Sequence, residues 1–161
     1  MNNELVEKIK LAFADVKLED GIGLWEAQGI DNYADEKQIL DLRNKDEREN
    51  WHQIPYRDIA LAGTSLSFVD AKGMRFLLAQ FLIFDVLEKD ICKEELFDAP
   101  DVVFILTNDL QSEYKEIQFQ LLNSLQIKTI IDFLSYKLEQ NLNDYEVSEI
   151  KKALKHWQQK V

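Results

Sequence analysis

The side chains best suited to chemistry at neutral pH are few: two histidines, His52 and His156, and one cysteine, Cys92, in 161 residues. A structural zinc site needs several thiolate or imidazole ligands at short, regular spacing. The histidines are far apart, form no H-x-x-x-H pair, and Cys92 has no second cysteine, so such a site is excluded. A calcium loop opening at Asp31 would need an oxygen ligand at its third position, a glycine at its sixth and a closing glutamate. Tyr33, Glu36 and Leu42 stand there, and the motif fails.

Acyl-transfer chemistry would need an activated nucleophile. "GTSLS" around Ser65 is close to the G-x-S-x-G elbow, but Ser67 occupies the closing glycine's place. His52 and Asp58 are near enough in sequence to complete a triad, yet a triad is defined by geometry. The alternative for Ser65 and Ser67 is a capping or strand-edge hydroxyl. Cys92 lies in "DICKEEL", where Lys93 would lower its pKa and Asp90, Glu94 and Glu95 would raise it, so it reads as structural. Adjacent acids such as Glu94 and Glu95 say little about general acid and base work in so acidic a chain. There is no Walker loop, dinucleotide fingerprint or kinase motif. Neither a cofactor nor a metal is expected.

What remains is a surface. In "GIGLWEAQGIDNYADE", residues 21 to 36, Trp25 and Tyr33 are set among carboxylates, and acids outnumber bases about two to one over residues 15 to 50. Large amphipathic rings beside charge are the composition of a protein interface, in which aromatics anchor and rim charges steer the encounter. The partner-binding candidates are therefore Asp31, Asp35, Glu36 and Asp41 for steering, with Trp25, Tyr33 and Trp51 for anchoring. The competing reading places these rings in the core beneath a solvated helix.

The elements that must position these groups are mostly helical. Leu5, Ile9, Phe13 and Val16 recur at helical spacing over residues 4 to 16. "LEDGIG" stops that helix, and a short one follows carrying Leu24, Ala27, Ile30 and Tyr33. "DEKQILDLRNKDEREN" has only Ile39 and Leu42 as an apolar stripe and should lie largely in solvent. Trp51, Ile54 and Tyr56 flank Pro55 in an ordered loop. "SLSF" with Val69 is a candidate strand, and "VVFILT", residues 102 to 107, is a clearer one. Residues 74 to 88 are too densely apolar for either period. Their length favours a buried helix, with a hairpin turning at "AKG" as the alternative. Asn123 and Gln126 open a helix with a capping box, and "DYEVSEIKKALKHW" forms the last. The expected fold is mainly α (α+β), one compact helical domain over residues 1–161 with a few short strands.

Composition bounds the class. With 46% hydrophobic residues and 11% aromatic, the chain can build a sizeable core. Its 19 basic and 30 acidic residues give a net charge of −11 and a pI of about 4.6. That sign opposes binding to phosphate backbones or anionic lipid and allows attraction to a cationic partner. Acids in the first turns distinguish the N-terminus from a signal peptide. No stretch reaches the roughly 18 apolar residues of a membrane span. A cytoplasmic protein is the expectation, acting on neither nucleic acid nor membrane.

The phrases "AFADVKLEDGIGLWEAQGIDNYAD", "SLSFVDAKGMRFLLAQFLIFDV" and "DVVFILT" resemble an uncharacterised family of small acidic bacterial proteins, a domain of unknown function. Where that family commonly reads "RFxLPAF", this chain has Ala79 in place of the proline and Gln80 in place of the alanine. The resemblance implies a helix running unbroken past Ala79, and it carries over no catalytic residue. The leading functional expectation is a non-catalytic acidic protein-binding module, concretely a bacterial immunity protein neutralising a cognate toxin, with a nuclease as one toxin class. The alternative is a small enzyme or small-molecule binder with a pocket near residues 21–31 and 65–76, using Glu26, Asp31 and Arg75.

Overall fold

The computed structural model describes residues 2–91 and 100–161, and every regular element among them is helical. In chain order these are α1 (Asn2–Ala12), α2 (Leu24–Asp31), α3 (Glu36–Arg43), α4 (Tyr56–Ala62), α5 (Ala71–Ile91), α6 (Val102–Thr107), α7 (Glu113–Phe119), α8 (Ser124–Leu138) and α9 (Asp144–Gln158). Two 3-10 helices, Trp51–Gln53 and Gly63–Phe68, flank α4.

The axis of the fold is α5. Met74, Phe76, Leu77, Leu78, Ala79, Phe81, Leu82, Ile83 and Phe84 are all buried. A helix apolar all round must be enclosed on every side, which is why neither periodicity was visible in this stretch. α1, α4, α6 and α7 pack against it. Gln80, the buried polar residue in this run, donates from Nε2 to the Ile54 carbonyl at 2.8 Å, so its burial leaves that amide nitrogen satisfied. The hairpin alternative fails at its turn. "AKG" is the first turn of α5, and the Asp70 carboxylate just before it accepts from the Gly73 amide at 2.8 Å. The helix passes Ala79 without a break, as the absence of proline implies.

Both expected strands are helices. "SLSF" belongs to the 3-10 helix Gly63–Phe68. "VVFILT" is α6, despite its β-branched run, because its surroundings supply what a helix needs. Asp101 caps it, accepting from the Phe104 amide at 2.9 Å. Val102 and Leu106, one turn apart, are fully buried. The Leu106 carbonyl, near the helix end, accepts from Trp157 Nε1 at 3.0 Å. A lone strand would leave its amides without a ladder partner, and no other strand exists among the described residues.

The remaining helices close around this axis. α8 opens with the expected capping box between Asn123 and Gln126. It packs against α1 on one side and α9 on the other. Gln126 also donates to the Ala12 carbonyl at 3.2 Å, tying the end of α1 to the start of α8. α9 buries Ile150, Ala153 and Trp157. One continuous cluster of buried side chains runs from Leu5 to Trp157. Cys92 lies outside the described residues.

Candidate partner-binding surface

The opening segment is built around a carboxylate borrowed from elsewhere in the chain. α2 begins after Gly23, which has no side chain to cap it. Asp46 does so from a distance, accepting from the Trp25 amide at 2.7 Å and the Glu26 amide at 3.1 Å. Burial pushes the Asp46 carboxyl above its ordinary range, while those two amides and Arg48 pull it down. Arg43 then spans the same turn, bonding Glu26 Oε2 at 2.6 Å and the Asp20 carbonyl at 3.0 Å. Arg48 donates to the carbonyls of Glu19 at 2.8 Å and Gly21 at 3.1 Å. A solvated helix over "DEKQILDLRNKDEREN" would hold all three. In fact α3 stops at Arg43, and the residues after it fold back to fasten "EDGIGLWE". No local pattern signals this, because the bonds join residues 17 to 29 positions apart.

The candidate residues separate into two groups. Trp51 is 1% exposed and donates from its indole to the Phe13 carbonyl at 2.9 Å. It is a core residue and offers no surface anchor. Trp25 is partly buried and packs against the core, and Asp31, at the end of α2, is half-buried. Asp35 caps α3 in a capping box with Gln38, so its carboxylate serves the helix start. Glu36 and Asp41 are exposed on the outer side of α3, together with Leu40. Tyr33 is 96% exposed.

The backbone at Tyr33 is unusual. Its φ is 54°, in the left-handed region that glycine normally occupies after a helix. The Ala34 amide donates to the Gly29 carbonyl at 2.9 Å and the Tyr33 amide to Ile30 at 3.1 Å, closing α2 in a Schellman turn. Gly29 itself lets α3 approach: a Cβ there would lie 2.6 Å from Leu42 Cδ1.

The chemical alternatives find little here. His52 stacks on Trp51 with ring centroids 3.5 Å apart, and burial pushes its imidazole pKa down. Ser65 lies within a 3-10 helix, not at a strand-to-helix elbow. No group of three or more His, Cys, Asp or Glu residues suited to a metal occurs among the described residues. Residues 21–31 and 65–76 do meet, but in direct contact. Asp70 accepts from the Ile22 amide at 3.0 Å, and a Cβ on Gly73 would fall 2.0 Å from the Ile22 carbonyl oxygen. The Ile22–Gly73 crossing itself has no room for a ligand, while hollows of about 240 Å³ beside Leu24 and Trp25 and about 470 Å³ beside Val69–Lys72 lie near it. Glu26, one of the three polar contacts expected of a pocket, is spent on Arg43.

The family model for a family of unknown function, DUF6714, matches residues 1–161. The chain belongs to this family. No curated protein and no solved structure matches it. For this DUF6714 chain, the "GIGLWEAQG" phrase thus has a structural account: Gly23 makes room for Asp46, Gly29 for Leu42, and Gly21 for the Lys72 side chain, whose Cβ would lie 2.6 Å from an added methyl. Among the described residues no helix is long and apolar enough to cross a membrane.

Proposed function

We propose that the protein is a non-catalytic, acidic protein-binding module, an immunity protein of bacterial type that acts in the cytoplasm on a basic toxin, with a nuclease as the toxin class. The observation that carries this reading is Tyr33. A bulky side chain in a left-handed conformation costs the fold about 1 kcal/mol, and a ring exposed over 96% of its surface gains no burial in return. Local strain of this kind is characteristic of sites retained for contact with something else. Beside it, α3 offers Glu36, Leu40 and Asp41 outward, with Lys37 the one exposed base on that helix. On a chain of net charge −11 this edge attracts cationic surfaces, including the phosphate-holding groove of a nuclease.

The test is inhibition. If the neighbouring gene encodes a secreted basic nuclease, the purified protein should block its cleavage of DNA or RNA at equimolar ratio, with an association rate that falls steeply with salt. Reversing Glu36 and Asp41 to lysine should slow association roughly tenfold or more. Full nuclease activity in the presence of excess protein would reject the reading.

A further inference from the structure

The larger exposed apolar surface lies elsewhere, along α7. Tyr114 and Ile117 lie on α7 and Leu121 in the turn just after it, and Ile117 is 53% exposed. They form one wall of a trough of about 470 Å³. Its other wall is the segment Val69–Lys72 with Asp20. Tyr114 continues the strip past its own hydroxyl, which donates to the Ser67 carbonyl. On the far side of Tyr114 a second hollow of about 420 Å³ is lined by Leu66, Ile105 and the 58% exposed Phe104. Scattered exposed apolar side chains need no explanation, but a continuous concave strip of them does.

We infer that the trough between α7 and residues 66–72 seats an amphipathic helix of a protein partner, apolar on one face and bearing lysine or arginine along its edges. An amphipathic helix bound in a groove inserts its own side chains at i, i+3 or i+4, and i+7, and Tyr114, Ile117 and Leu121 form the apolar wall that would receive them. Charge selects the occupant. The rim carries Asp20, Asp70, Asp101 and Asp109. Against these four carboxylates stand two cations, Lys72 and Lys115, and Lys72 is paired with Asp20 at 2.6 Å, which leaves a surplus of two acids along the rim. A second copy of the chain would set one surface of net charge −11 against another, and nucleic acid would be repelled. This surface is separate from the α2–α3 edge and does not depend on its role.

The probe is a synthetic 18-residue peptide with leucine on one helical face and lysine on the other, titrated into the full-length 15N-labelled chain. Amide shifts should concentrate at residues 66–72 and 114–121. Ile117→Ser and Leu121→Ser, both at exposed positions, should each weaken binding about tenfold, while Tyr33→Asn leaves it unchanged. A scrambled peptide of the same composition binding equally well would overturn the inference, as would shifts centred on α3. So would a wild-type dimer in sedimentation that Ile117→Ser dissolves, since a second copy would then be the occupant. Loss of toxin inhibition in Tyr33→Asn bears on the α2–α3 edge alone, so the two readings fail separately.

Discussion

The Asp46 carboxylate occupies the position that a side chain on Gly23 would claim: a Cβ built on Gly23 lies 2.3 Å from Asp46 Cγ. The two residues share one task, capping α2, which one of them performs through 20 or more residues of intervening chain. Gly23→Ala should therefore expel the carboxylate from the Trp25 and Glu26 amides and destabilise the fold by about 2 kcal/mol. Asp46→Ala should cost about 1 kcal/mol. In the double variant the clash has vanished, so urea unfolding should give a loss well below the sum of the two. Simple additivity would mean that the cap is not shared.

Trp51 should behave as a core residue. Trp51→Ala removes a fully buried ring and should cost about 3–5 kcal/mol. Trp51→Phe keeps most of the volume and removes the indole donor, but the Phe13 carbonyl still accepts from the Val16 amide at 3.1 Å, so the cost should be only about 1 kcal/mol. Denaturant midpoints measure both. A surface role would instead leave the midpoint unmoved.

Asp85 and Lys137 form an ion pair at 2.8 Å with side chains only 10% and 20% exposed. Burial raises the Asp85 pKa above its ordinary 3.8, although Lys137 pulls it down. A carboxyl whose pKa is raised by folding contributes stability that is fully present below its unfolded pKa and is lost as pH rises through its folded pKa. Lys137→Met removes the opposing pull and strands the carboxylate, so the variant should lose about 3 kcal/mol at pH 7.5. That loss should shrink towards pH 4, where Asp85 takes up a proton. Unfolding curves at the two pH values decide it, and a loss independent of pH would count against a stranded carboxylate.

Tyr33 offers an opposite signature. Asparagine tolerates the left-handed region better, so Tyr33→Asn should leave stability unchanged or raise it by about 0.5 kcal/mol. Its effect should instead appear as faster dissociation from the partner. A drop in thermal midpoint would show that the ring supports the fold.

Much of the helical plan could be read from residue order, because helix signals are local. The capping box at Asn123 and Gln126 and the apolar face carrying Ile150 and Trp157 are written within a few residues of each other. The density of apolar residues in α5 marked a buried element, and its length favoured a helix over a hairpin. The reading broke at "VVFILT" and "SLSF". At "VVFILT" the β-branched composition describes a preference that packing overrides, and what overrides it, the Asp101 cap and the Trp157 indole on Leu106, includes a contact 51 positions away.

The candidate surface was legible in part. Sequence determined that the chain is acidic, that it lacks the cysteine and histidine spacing of a structural zinc site, and that helices would dominate. Whether a given ring would face water or core depends on which elements close over it, and residue order does not state this. Tertiary structure alone sent Trp51 inside and left Tyr33 outside. It also turned Arg43, Asp46 and Arg48 from a supposed solvated face into the clasp of "GIGLWE", because hydrogen bonds and burial join groups by distance in space while the sequence records only distance along the chain.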